Sequence, residues 1–157
     1  MSNFEIRIAS SITSELRDLA ADADRHMASL YPAHGTRPVP IESFMGTDSA
    51  LVGAWCNNQL TGCGAARLLQ TSTGNIGEIK RLFVSERHRR TGISTAIIRE
   101  LESFLLHAGA SASLLVTGIR QPEAVSLYRK LGYVERNAYG DYAPDLLSVF
   151  MEKRLVA

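Results

Sequence analysis

Between Glu78 and Thr95 the chain reads EIKRLFVSERHRRTGIST, and here residue types and spacing point to chemistry. The segment opens with Glu78-Ile-Lys-Arg-Leu-Phe-Val84, whose β-branched, aromatic and other apolar residues predict a strand. It then crosses the basic run Arg87-His-Arg-Arg90 and turns at Thr91-Gly92 into an amphipathic helix. A strand feeding a helix through a short glycine-containing turn leaves backbone N–H groups unpaired at the helix start. With the positive end of the helix dipole behind them, those groups make a site for an anion, most readily a phosphate. Two common phosphate loops are excluded. No Gly-Lys-Ser/Thr follows Gly92, so the turn is not a Walker A loop, and the glycines of a dinucleotide fingerprint are missing before the helix. The basic run also has a plainer reading, with Arg87, His88 and Arg90 as solvated surface. Aromatic residues interleaved for stacking on nucleic acid are absent apart from Phe83.

The rest of the chain must position this turn. At 157 residues, 45% hydrophobic and 21% charged, the sequence suits one globular domain spanning 1–157. A net charge of +1 gives no general attraction to nucleic acid or to an acidic membrane surface. The first eight residues lack the charged-then-apolar pattern of a signal peptide, and no apolar run approaches a membrane span. Cys56 and Cys63 show no metal-type spacing and have no histidine nearby, so they read as small buried hydrophobes of a reducing compartment. The expected location is cytoplasmic, with no metal.

Phe4 to Ile8 alternates apolar and polar residues as a strand does. Ile12, Leu16, Leu19, Ala20, Ala23, Met27 and Leu30 recur at helical spacing, with Ser11 or Thr13 as the cap and Pro32 as the stop. The Pro-rich stretch 32–40 is a loop carrying His34 and Arg37, either solvated or bordering a pocket. Ile41 to Met45 reads as a helical turn. Ser49–Cys56 and Gln59–Leu69 read as strands joined by Asn57-Asn58, a pair suited to positive φ. That two-residue loop would set Cys63 opposite Val52, away from Cys56. Gly62 and Gly64 mark a bulge or a close backbone approach. After the helix ending at Gly109, Leu114-Leu-Val-Thr117 is short and apolar, a strand buried on both faces. Strand, helix and buried strand form a βαβ unit with parallel strands, whose carboxyl ends are where open α/β sheets place ligands. Tyr133–Asn137 and Leu147–Leu155 read as two further strands.

A second motif follows the buried strand: Gln121-Pro-Glu-Ala-Val-Ser-Leu-Tyr-Arg-Lys-Leu-Gly-Tyr133, a helix with Pro122 at its first position and Gly132 just past its end. It resembles the Ala-x-x-Leu-Tyr-x-x-x-Gly-Phe/Tyr block of the GNAT (general N-acetyltransferase) superfamily, with Gln121 where Asn is usual. Arg89-Arg-Thr-Gly-Ile-Ser94 resembles the same superfamily's pyrophosphate loop, Arg/Gln-x-x-Gly-x-Gly/Ala, with Ser94 at a position that must stay small. The two blocks stand in the family's order and flank a buried strand.

The resemblance implies a mixed, mostly antiparallel α/β sheet of six or seven strands flanked by helices, with a splayed parallel pair. Acetyl-CoA would lie in the gap, its pantetheine arm paired with the backbone of Leu82, Phe83 and Val84. Its pyrophosphate would sit on Arg89, Arg90, Thr91, Gly92, Ile93, Ser94 and Thr95, with Gln121 nearby. The reaction implied is acetyl transfer to a primary amine of a small molecule, amino acid or protein. Glu78 is then the base that takes the amine's proton, against a reading as a paired strand-end charge. Tyr128 is the acid that protonates the departing thiolate, against a reading as a packed core tyrosine. A non-catalytic acyl-CoA-binding regulatory domain stays open as the alternative, as does a homodimer. The acceptor's walls would be Tyr31–Pro40 and Tyr139–Asp145.

Overall fold

The computed structural model describes residues 3–32 and 38–156. The loop residues His34 and Arg37 lie outside the described residues. Seven strands form one sheet: β1 Glu5–Ile8, β2 Ser49–Cys56, β3 Gln59–Thr71, β4 Gly74–Val84, β5 Ala112–Gly118, β6 Val134–Arg136 and β7 Ser148–Arg154. Their order is β1-β2-β3-β4-β5-β7-β6. Every neighbouring pair is antiparallel except β4–β5, which is parallel. Among the described residues three α-helices accompany the sheet: α1 Ser14–Leu30, α2 Ile93–His107 and α3 Pro122–Lys130.

Local sequence explains most of these boundaries. Thr13 caps α1 by accepting the Leu16 N–H at 3.2 Å. Asn57 and Asn58 both take positive φ, 50° and 64°, as a tight hairpin that follows the twist of its strands requires. Pro122 opens α3, where its missing N–H costs nothing. Ile41–Phe44 is a single 3₁₀ turn. One pairing differs from expectation. A register shift between Ala54 and Trp55 sets Cys63 opposite Gly53, not Val52. Both cysteines are free, and Cys63 is buried.

Alternation along the strands divides the core between two faces. On one face Val52, Ala66 and Leu115 pack with Ile97, Ile98, Leu101 and Leu105 of α2 and with Tyr128 of α3. On the other, Leu51, Cys63 and Ala65 pack with Leu16, Leu19 and Ala20 of α1. Glycines let α2 settle close to the sheet: a Cβ on Gly77 would lie 2.4 Å from Leu105 and one on Gly64 2.8 Å from Ile97.

The irregularity foreshadowed by Gly62 and Gly64 occurs on both sides of β3: against β2 the surplus residue is Thr61, beside Gly62, and against β4 it lies on the partner strand. Cys63 pairs with Phe83 but Ala65 with Lys80, so Arg81 and Leu82 together oppose Gly64. Arg81 takes φ 61° to make this possible. The extra residue turns β4 aside, and its pairing with β5 is confined to Gly77–Ile79 against Ser113–Leu115. Beyond Ile79, β4 stays with β3 while β5 stays with β7, and a gap opens between them.

Candidate active site

The gap is a cleft of about 590 Å³ that passes between the two faces of the sheet. Its walls include Ile79 to Phe83 of β4, Leu115 to Gly118 of β5, Asp24 and Met27 of α1, Gln121 at the N-cap of α3, Tyr128 within it, and Tyr142 and Phe150. Because β4 and β5 no longer pair here, β4 keeps an open edge toward the cleft along Lys80–Val84. An extended ligand can pair with such an edge as an added strand.

At the end of β4 lies the anion turn. Arg90 at φ 63° and Gly92 at φ 88° curl the backbone into the first turn of α2. Gly92 stands at the N-cap, where no side chain caps the helix. The first intrahelical bond of α2 is Ala96 N–H to Gly92 C=O, so the N–H groups of Ile93, Ser94 and Thr95 precede the ladder. A Cβ on Gly92 would meet nothing within 4 Å, so this turn faces open space. Thr91 donates its hydroxyl to the His88 carbonyl at 2.6 Å, which fixes the turn. Arg89 folds back, donating Nε to the Val84 carbonyl at 3.0 Å with its guanidinium over the Phe83 ring.

Of the carrier-side residues, Leu82, Phe83 and Gln121 line the cleft, whereas the turn from Arg89 to Thr95 lies beyond its walls. Val84 turns its side chain into the α2 core. Gln121 accepts a hydrogen bond from the Tyr31 hydroxyl at 3.2 Å, which ties the end of α1 to the start of α3. Gly118 makes room for that tie, since a Cβ there would collide with the Tyr31 oxygen at 1.8 Å.

Tyr128 and Glu78 occupy very different surroundings. Tyr128 is buried, packs edge-on to Tyr133 and borders the cleft. Among the described residues no hydrogen bond to its hydroxyl is formed, and that oxygen is not sealed from the cleft. Burial pushes its ionisation well above the usual phenol range, so the proton stays on the oxygen. Glu78 is 1% exposed and lies beneath the cleft wall. Arg67 donates Nε to its Oε1 at 2.9 Å, and Arg67 Nη2 forms an ion pair with the same oxygen at 2.8 Å. Tyr139 at 2.6 Å and Tyr142 at 2.9 Å donate to its Oε2. Lys80 holds its Nζ 3.9 Å from Oε2 and donates to the Tyr142 hydroxyl. Desolvation pulls Lys80 below the usual lysine range, with Glu78 opposing the shift and Arg67 adding to it.

Sequence reasoning missed Arg67, Lys80, Tyr139 and Tyr142. In the sequence, Tyr139 and Tyr142 stand out only as part of a pocket loop. The available signal was Glu78 itself, since a carboxylate in an apolar strand needs donors and two tyrosines three residues apart can supply them.

A parallel pair splayed by a bulge, with an anion turn at one strand's end, defines an acyl-CoA-binding fold, and comparison with known proteins agrees. The Acetyltransferase (GNAT) family profile matches residues 15–133, and the chain belongs to this family. It is 34% identical over 155 residues to the IAA acetyltransferase of Azospirillum brasilense, covering 99% of this chain and 100% of that one. A Klebsiella pneumoniae structure described as a candidate acyl-CoA N-acyltransferase superposes with a TM-score of 0.78 at 28% identity, covering 98% of each chain. The PaiA N-acetyltransferase of Thermoplasma acidophilum, solved with coenzyme A, superposes at 0.69 with 18% identity, covering 96% of this chain and 99% of that one. The protein is an acetyl-CoA-dependent N-acetyltransferase that acts on an amine acceptor. No helix among the described residues is long and apolar enough to cross a membrane.

Proposed function

We propose that the chain works in the cytoplasm as a single catalytic domain, moving an acetyl group directly onto a primary amine that enters the cleft from the α1 side. The observation that carries this reading is the Tyr128 hydroxyl, protonated, bordering the cleft and uncommitted to any described residue.

The residues present fit acetyl-CoA. The open edge at Leu82, Phe83 and Val84 suits the amide-bearing pantetheine arm. The turn from Arg89 through Arg90, Thr91, Gly92, Ile93 and Ser94 to Thr95 offers unpaired N–H groups at a helix start for the pyrophosphate. Gln121 supports the far wall through Tyr31. Bound there, the thioester supplies an activated acetyl group.

The chain's own residues then handle protons. Tyr128 holds one at its hydroxyl for the departing sulfur. Reference thiol and phenol pKa values lie within about two units, so the transfer is close to balanced before burial acts on either group. Glu78 is the destination of the amine's proton, and Arg67 on Oε1 leaves Oε2 as the receiving atom.

A panel of primary amines, including amino acids and peptides, incubated with acetyl-CoA tests the reading. Thiol release that depends on the amine is expected. Tight acetyl-CoA binding with no release for any amine would instead favour the regulatory acyl-CoA-binding domain.

A further inference from the structure

A carboxylate offers about four lone-pair positions, and at Glu78 three protein hydrogen bonds, from Arg67, Tyr139 and Tyr142, together with the Arg67 Nη2 ion pair on Oε1, surround both oxygens. With its side chain 1% exposed and absent from the cleft's lining, Glu78 is closed off from a molecule in the cleft. A proton bound for Glu78 must therefore come through one of the groups that already touch it. Neither Arg67 nor Tyr139 borders the cleft, whereas Tyr142 does, and so does Lys80, which donates to the Tyr142 oxygen. Lys80, Tyr142 and Glu78 thus form a hydrogen-bonded chain from the cleft to the buried carboxylate.

Building on the acetyl-transfer reading above, we propose that Tyr142 is a catalytic residue whose hydroxyl takes a proton from the acceptor ammonium while passing its own proton to Glu78 Oε2. One N–H bond of the ammonium breaks and an O–H bond forms at Tyr142. The original Tyr142 O–H bond breaks as a new one forms at Glu78, and nitrogen keeps the electron pair with which it attacks the thioester carbonyl. After the reaction the proton returns to solvent by the same path.

The surroundings of Tyr142 favour paired transfer. Burial and the Glu78 charge hold its phenol far above the usual range, with Arg67 opposing, so a free phenolate does not accumulate. The proton leaves Tyr142 only as another arrives. The Lys80 ammonium, lying against the same oxygen, offsets the negative charge that develops between the two transfers. Tyr139 and Phe150 hold the ring edge-on at centroid distances of 5.2 and 5.9 Å, which fixes the hydroxyl's direction.

Tyr142→Phe removes the hydroxyl and keeps these ring contacts. Its kcat on the best amine should fall about 10²- to 10⁴-fold, the usual worth of a positioned proton-transfer group. The deficit should shrink as pH rises and more of the amine arrives already deprotonated. Acetyl-CoA affinity measured by calorimetry should stay within about twofold of wild type. A variant with the wild-type rate and pH profile would overturn the relay. A second measurement needs no variant: in mixed light and heavy water, two protons in flight give a bowed dependence of the wild-type rate on deuterium content, and a straight or flat one would equally overturn it. Wild type that binds acetyl-CoA yet acetylates no amine would sink the acetyl-transfer reading itself, and the relay with it.

Discussion

Three tyrosines of the site region differ in what their oxygens already hold. Tyr133 donates to Glu102 and shares a hydrogen bond with Ser113, both at 2.8 Å, so its hydroxyl is spent on joining α2 to β5. Tyr142 is committed to Glu78 and Lys80. Tyr128 holds no described partner, although it sits five residues before Tyr133 in the same motif. That contrast predicts the outcome of Tyr128→Phe. The ring's packing survives and no protein hydrogen bond is lost, so melting temperature and acetyl-CoA affinity should barely move. If the hydroxyl protonates the departing sulfur, kcat falls about 10²- to 10⁴-fold while KM changes little, because the proton is needed only as the thioester breaks. Steady-state kinetics on one good amine check this, and an unchanged kcat returns Tyr128 to a packing role. Cys63 illustrates the opposite extreme. Burial pushes its thiol up to about 12, which keeps it out of thiolate chemistry.

At the scale of elements, the turn between β4 and α2 owes its shape to two residues at positive φ, and only one of them is glycine. Gly92→Glu would force a β-carbon onto a φ of 88° and send a carboxylate toward the unpaired N–H groups of α2. The residue is exposed and contacts no core side chain, so the domain should still fold. Calorimetry should show acetyl-CoA binding lost or weakened at least about a hundredfold, since a like charge and bulk both oppose a pyrophosphate there. Equal affinity in variant and wild type would move the pyrophosphate elsewhere. Elements such as this were legible because local residues dictate them: Asn57-Asn58 for the hairpin, Pro122 for the start of α3, the apolar stripe of α2. The bulge was legible only in part. Gly62 and Gly64 signalled it, but against β4 the surplus residue falls at Arg81, which takes a glycine-like φ of 61° while its guanidinium pairs with Asp24 of α1 at 2.6 Å. The shift at Ala54 and Trp55, which moved Cys63 to face Gly53, falls beside Gly62, so the glycines marked the irregularity but not which residue would be surplus. Nor could the pairing of Glu78 with Tyr139 and Tyr142 be read, since more than sixty residues separate them and only the tertiary fold brings the loop over β4.

For the molecule as a whole, the decisive feature is that the gap between β4 and β5 runs through the sheet. Its lining draws residues from both α1 and α3, and these helices cover opposite faces. A trench cut into a single face would make two reactants take turns at one entrance. A cleft walled from both faces has room for each to sit against its own wall and wait for the other. The order in which they enter then need not be enforced by a stored acetyl group on the protein, and no nucleophilic cysteine stands in the passage to store one. Initial-rate lines measured at several fixed amine concentrations should therefore intersect, the pattern of a complex that holds both reactants at once. Parallel lines would mean that the acetyl group parks on the chain between two separate visits.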